Sequence, residues 1–302
     1  MTDIDLDWVD KAKHVYCIMT VRSNGSNPNG DPDMEGSPRQ LPDGRGWISV
    51  VSVRRRVRDL IGDKESEVWK AVSDGLGVDK DNYHILETRG RDKKKIHDEI
   101  AAQKFLDKYV DARLFGSTFL DEKNKKKPER NYTKTGITSM SDLISLGPIE
   151  VDISTITRKA GTTEDKDRGM APGGLKKVVH GIYVGETHIN MSDMDRFGCK
   201  PEDIKIFLRT LPHIYKHASA ASAGSVVKSL WVVGFNTPLP HGINDGSLYA
   251  LLCPKARNGT AKSDVDYVFV DSVPDIIKES TQVIYCGNAV VAISNEPVEY
   301  IA

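Results

Sequence analysis

The chain has 302 residues, 39% hydrophobic and 28% charged, with a formal net charge of −1. These proportions belong to globular rather than disordered chains, and the length allows one elaborate domain or two ordinary ones. No apolar run nears the roughly 18 residues of a membrane helix, and the near-neutral charge argues against a generic basic nucleic-acid binder.

The N-terminus, MTDIDLDWVDKAK, is acidic and lacks the apolar core of a signal peptide, so a cytoplasmic protein without membrane contact is expected. Cys17, Cys199, Cys253 and Cys286 are scattered, form no CxxC pair and have no histidine at ligand spacing. They read as small buried thiols rather than a zinc or disulfide framework, and neither a metal nor a cofactor is expected.

HVYCIMTVR (14–22) is short, rich in β-branched residues and followed by turn residues, which predicts a buried strand. SNGSNPNGDPD (23–33) follows, with three Asn, two Gly, two Pro and two Asp. A helix is predicted from SVVSVRRRVRDLIGD: Ser49 or Ser52 caps it, and Val53, Val57, Leu60 and Ile61 recur at helical spacing. Arg54, Arg55 and Arg58 lie off that stripe, so the helix can dock while its arginines stay available.

Residues 62–99 are polar and weakly patterned and read as an inserted excursion. HDEIAAQKFLDKYVDARLFG predicts a second helix through Phe105, Leu106, Tyr109, Val110 and Leu114, closed by Gly116. GPIEVDISTIT (147–157) alternates as a half-exposed strand should. The aperiodic run 158–177 then leads into the strand VVHGIYVGETHIN, and a connection that long is uncommon unless functional or disordered. KPEDIKIFLRTLPHIYKH (200–217) is a helix that Pro212 should kink or end. SLWVVGFN (229–236), DYVFVD and TQVIYCGNAVVAIS are the remaining strands. This order resembles a βαββαβ core, an α+β arrangement that by itself names no function.

The charge is polarised along the chain. Residues 45–58 hold Arg45, Arg54, Arg55, Arg56 and Arg58 without an acid, 89–134 carry a local net of +6, and 264–302 a net of −6. Solvated loop charge, a basic groove for a polyanion and self-association of unlike faces all fit this pattern.

Several chemistries fit the composition of the Asn/Asp loop. From Asp31 the pattern D-x-D-x-E-G follows a calcium loop to Gly36, but Pro42 stands where the bidentate Glu is needed. Asp31 and Asp33 as magnesium-binding nuclease carboxylates are a second option, and an Asx-supported turn is the commonest use of such composition. The chain has no P-loop, GxSxG, HExxH or dinucleotide fingerprint, and its eight histidines form no obvious dyad. It also lacks an RNP1-type aromatic run, so any RNA binding must rest on backbone contacts from arginines, turn amides and loops.

SNPNGDPD after the first strand, followed by the arginine-rich helix, resembles the backbone subunit of type I CRISPR Cascade complexes, a crRNA-binding RAMP-superfamily protein, with the I-C and I-B branches closest. DARLFG (111–116), GPIEVDIS (147–154) and PHIYKHASAASAGSVVKSLWVVGF (212–235) fall in the family's order, so the resemblance spans most of residues 14–236. It implies one elaborated domain over 1–302: a modified RRM/ferredoxin-like palm at about 10–61, 110–157 and 178–302, a finger insertion at about 62–109 and a protruding thumb hairpin at about 158–177. It further implies a non-catalytic protein that polymerises head to tail along crRNA as the helical backbone of a Cascade complex. The implied partners are crRNA, target DNA through the guide heteroduplex, further copies of the chain and other Cascade subunits.

The residues expected at the RNA are Arg22, Asn24, Asn27 and Asn29, then Arg45, Arg54, Arg55 and Arg58. Thr157, Arg158 and Lys159 at the thumb base, Met170 as an apolar wedge, and Lys176 and Lys177 on the return strand join them, with Ser219 and Ser222 completing the set. Members of the I-C branch carry an Asp and two Arg around HASAASAG, where this chain has Ala218, Ser219 and Ala223. The alternative reading is a type III-like backbone subunit that cleaves bound target RNA through Asp31 and Asp33 with a metal ion. A stand-alone RNA-binding or scaffolding protein is the third.

Overall fold

The computed structural model describes residues 5–79, 82–87, 92–101, 105–119, 132–156, 173–216, 222–257 and 262–288. Strand β1 (His14–Ser26) leads through two short strands, β2 (Gly30–Asp31) and β3 (Ser37–Pro38), to β4 (Arg45–Ile48) and helix α1 (Val50–Gly62). Helices α2 (Glu67–Leu76), α3 (Lys93–Ala101), α4 (Phe105–Lys108) and α5 (Val110–Phe115) follow. Next come β5 (Gly116–Phe119), β6 (Tyr132–Thr135), β7 (Thr138–Met140), β8 (Leu143–Pro148), β9 (Val151–Ile156) and the long β10 (Gly173–Ile189). The described order closes with α6 (Met194–Phe197), α7 (Pro201–Thr210), β11 (Ser225–Phe235), α8 (Asp245–Leu252), β12 (Lys255–Ala256), β13 (Tyr267–Val268), α9 (Asp275–Lys278) and β14 (Val283–Asn288).

The main sheet has eight strands in the order β14-β11-β1-β10-β8-β4, with β7 and β9 also paired to β10. Every pairing in it is antiparallel, so the α+β class expected from the sequence holds at this level. β1 is a central strand, and its residues from Val15 to Val21 are all buried because both faces of the sheet are covered.

Alternation along β1 divides the core. Val15, Cys17, Met19 and Val21 face a layer containing α1, α2 and α7, through Val53, Val57, Trp69, Ile204 and Phe207. Tyr16 and Ile18 face the other way, onto Trp231, Val233 and the α8 residues Leu248 and Leu252. β10 continues past the end of β1: its last pairing with that strand is Ser26 to Val178, whereas residues 173–178 pair with β9.

The sequence expectations meet several differences: β10 begins at Gly173, inside the run read as aperiodic, and α8 was not expected. The polar stretch after α1 contains α2, capped by Ser66 and anchored by Val68, Trp69 and Val72, all buried. The single helix expected over 97–116 is three pieces. The His84 carbonyl accepts from the Val110 amide, and Tyr109 turns extended, so Phe105 and Tyr109 serve one small cluster while Val110 and Leu114 serve the main core. The strand expected over 147–157 is, within the described residues, broken at Ile149 into separate strands β8 and β9. The DYVFVD strand shrinks to Tyr267–Val268, paired with Lys255–Ala256.

Candidate nucleic-acid interface

The loop after β1 is held by its own polar side chains. Asn29 Oδ1 accepts from both the Ser49 amide, at 2.7 Å, and the Ser49 hydroxyl, at 2.8 Å. Ser49 is the N-cap of α1, its Oγ accepting from the Ser52 amide at 3.3 Å, so the loop is tied to the first turn of the helix. Arg56, about two helical turns in, donates to the Pro28 carbonyl at 3.0 Å and stacks over Tyr215.

Asn27 ties the loop to a third element. Its Nδ2 donates to the Gly36 carbonyl at 2.7 Å and to the Lys176 carbonyl at 3.2 Å. Lys176 in turn reaches Glu35 at 3.1 Å and the Met34 carbonyl at 3.3 Å. Glu35 holds a left-handed backbone at φ 52° and Gly36 continues it at φ 74°, which makes the tight return of the chain. Asp31 Oδ1 accepts from the Asp33 amide at 3.1 Å and pairs with Arg39 at 3.4 Å. That carboxylate therefore organises the turn.

A fourth segment closes the group. The Asn24 amide donates to the Gly224 carbonyl at 3.1 Å, and a Cβ at Gly224 would collide with the Asn24 carbonyl oxygen. Beside it, Ser23, Ser26 and Ser225 form a buried hydroxyl cluster with Oγ separations of 2.8, 2.9 and 3.4 Å. The β1 loop, the start of α1, the β10 arm and the 222–225 turn therefore converge. Asn24, Asn27, Asn29 and Lys176 belong to this convergence, as does Ser222, which is buried.

The helix arginines have unlike surroundings. Arg58 Nε donates to Asp111 at 3.0 Å, and Asp111 also accepts from the Leu86 and Glu87 amides at 2.7 and 3.2 Å. Burial pushes the Asp111 carboxyl above its ordinary pKa against the pull of those bonds. Arg54 lies on the ring of Phe115, as Arg58 does. It has no carboxylate partner among the described residues, and burial, then the charge of Arg58, press its pKa down. Arg55 pairs with Asp59 at 2.8 Å on the exposed side.

The motif DARLFG gains a physical account here. Asp111 receives Arg58, Arg113 pairs with Asp203, Phe115 backs both arginines, and Gly116 takes φ 78° where a Cβ would meet the Lys134 carbonyl.

Other expected residues stand apart. Arg22 lies on the sheet face opposite α1, opposed to Ile182 in β10, and donates to Asp264 at 3.1 Å. Lys228 donates to the same Asp264 oxygen at 3.1 Å. Burial works the other way, but these two bonds hold Asp264 below the usual carboxylate range. Arg45 pairs with Asp43 at 2.7 Å on β4, and Lys177 stands opposite Asp152 in the β9–β10 ladder. Thr157, Arg158, Lys159, Met170 and Ser219 lie outside the described residues. Arg39 and Arg56 were missed as members of the loop framework. Their signal was the arginine density on both sides of the Ser49 cap.

Residues 13–262 match the family described as "CRISPR-associated protein Cas7". A curated relative, "CRISPR-associated protein Cas7" of Haloferax volcanii, is 24% identical over 196 residues, 56% of this chain and 57% of the relative. The chain thus matches little more than half the length of that relative. Among solved structures, a chain of a "CRISPR RNA-guided surveillance complex, pre-nicking" aligns at 14% identity and TM-score 0.45, covering 73% of this chain and 75% of that one. A chain of a "CRISPR RNA-guided surveillance complex" aligns at 16% identity and TM-score 0.43, covering 76% and 72%. Because the family match takes in β1 and its loop, α1, β10, β11 and the turn between α7 and β11, the chain belongs to the CRISPR-associated protein Cas7 family.

Proposed function

We propose that this chain is a non-catalytic crRNA-binding subunit that polymerises along the guide, forms the helical backbone of a type I Cascade surveillance complex and presents the guide for pairing with target DNA. The observation that carries the reading is family membership over residues 13–262. The convergence around the β1 loop supports it, because its groups suit a sequence-neutral strand: amides and a lysine beside a helix N-terminus contact phosphate and sugar rather than base edges.

In this reading the main sheet is a modified RRM-like palm. The segment between α1 and α5 is the finger, and the β9–β10 hairpin, running beyond the end of β1, is the base of the thumb. Asn24, Asn27, Asn29, Lys176 and Lys177 line the guide with Arg54 and Arg55, while Arg58, held by Asp111, anchors the helix that carries them. Unlike faces of successive copies meet without closing, which generates a helical filament, and the charge polarity of the chain suits that contact.

The type III-like alternative has less to stand on. The Asp31 carboxylate already serves Arg39 and the Asp33 amide. No histidine, cysteine or acid joins Asp31 and Asp33 in a group of three at ligand distance among the described residues.

Purified from a host transcribing a repeat–spacer array, the chain is expected to retain RNA of discrete length and to elute as a large assembly. An RNA-free monomer in that preparation overturns the proposal. Complementary RNA added with magnesium should stay intact, and cleavage at regular intervals would restore the enzyme reading.

A further inference from the structure

Strand alternation places His14 and Tyr16 on one face of β1, with His188 of β10 opposite Tyr16 on that face. Helix α8 begins above them. Asn244 caps it by accepting from the Ser247 amide at 3.0 Å, which fixes Asp245 in the first turn. One oxygen of Asp245, Oδ2, lies 3.3 Å from His14 Nε2 and 2.9 Å from His188 Nδ1. All three ligand-type atoms lie within 4.8 Å of one another. The second oxygen, Oδ1, is buried and accepts no hydrogen bond among the described residues. His14 is 12% exposed at its side chain and His188 37%, so the cluster is walled by protein but reachable from solvent.

An unsatisfied buried carboxylate oxygen costs about 1–3 kcal/mol, and two imidazoles sharing the other oxygen leave it so. A cation taking the place of the shared imidazole protons and held by both carboxylate oxygens would satisfy Oδ1 as well. With zinc–nitrogen and zinc–oxygen bonds of about 2.0–2.2 Å, tetrahedral ligands stand roughly 3.3–3.5 Å apart. The two His–Asp separations are close to that spacing, so small side-chain movements would bring the ligands onto one ion. Two imidazoles and one carboxylate suit zinc and its neighbours, whereas magnesium and calcium take oxygen shells.

We propose that His14, His188 and Asp245 bind one zinc-type divalent cation, which fastens α8 to the centre of the sheet with water in its remaining position. The site lies on the face away from α1 and does not depend on the RNA-binding reading. Its ligands come from strands and a helix 57 and 231 residues apart in pairs with Asp245, which is why no sequence spacing announces it.

The test uses the full chain, stripped with a chelator, dialysed against zinc chloride and measured for metal content, together with thermal unfolding. About one zinc per chain and a raised midpoint are expected for a three-ligand site. His188→Ala and the isosteric Asp245→Asn should each weaken zinc binding more than about 100-fold, since removing even a group that merely supports a ligand costs about 10–100-fold. His241→Ala, an exposed histidine that stands outside the cluster although only four residues before Asp245, should leave it unchanged. Cobalt(II) loaded into the unaltered chain should give d–d absorption bands of a four- or five-coordinate site, a readout that no variant's folding can confound. Absence of retained zinc, or zinc retained equally by the His188 and Asp245 variants, overturns the proposal.

Discussion

Arg54 and Arg58 sit one turn apart on α1 and share the ring of Phe115, yet replacing them should have unequal consequences for stability. Arg58→Ala strands the Asp111 carboxylate, 2% exposed, and should cost about 3 kcal/mol or more in urea unfolding. Arg54→Ala removes no ion pair among the described residues and should cost under about 1 kcal/mol. If Arg54 touches a guide phosphate, its loss lowers the salt-dependence slope of RNA binding by about 0.7, the value for one contact on a single strand. Anisotropy titrations across a salt series measure it, and an unchanged slope removes Arg54 from the interface. The apolar stripe and the off-stripe arginines were readable in the sequence because helical spacing carries them. The partner of Arg58 was not, because Asp111 is 53 residues away and only tertiary packing brings it near.

Among the elements, α2 shows how composition misleads. Charged residues dominate 62–99, and the few apolar positions that dock the helix, Val68, Trp69 and Val72, were diluted by their neighbours. At α7 the sequence was the better guide, since Pro212 does end the helix, in a short 3₁₀ turn over Leu211–His213. That turn half-buries His213, and its Nδ1 is shielded from water with no hydrogen-bond partner among the described residues. Burial, helped by the charge of Lys216, pushes its pKa down to about 4. The unfolded chain takes up this proton near pH 6.5, so the folded state is favoured above that pH and loses ground as pH falls toward 4. The loss should reach at most about 3 kcal/mol. Unfolding free energies measured from pH 7.5 to 4.5 should flatten in His213→Gln. A slope identical to the unaltered chain would assign the acid sensitivity elsewhere.

For the whole molecule, an α+β order of strands and helices was legible, but the covering of both sheet faces and the assembly of the sheet were not. β10 pairs with four strands along its length and α8 covers the face away from α1, and neither fact has a local signature. One buried joint fastens α5, and the end of the segment before it, to α7. Arg113 of α5 makes a bidentate pair with Asp203 of α7, at 2.8 and 2.7 Å, and also donates to the Leu106 and Asp107 carbonyls. Asp203 accepts from the Lys200 amide at 2.8 Å as well, and both side chains are essentially sealed from water, at 3% and 0% exposure. Asp203→Asn keeps an acceptor for the Lys200 amide but leaves the guanidinium uncompensated, so it should lose about 3–5 kcal/mol. Adding Arg113→Met removes the stranded charge, and a neutral apolar replacement of a buried pair is often well tolerated. The double variant should therefore recover more than half of what Asp203→Asn loses, with the urea m-value unchanged. Equal destabilisation of the single and double variants would mean that the carbonyl bonds of Arg113, rather than its pairing with Asp203, hold α4 and α5 against α7.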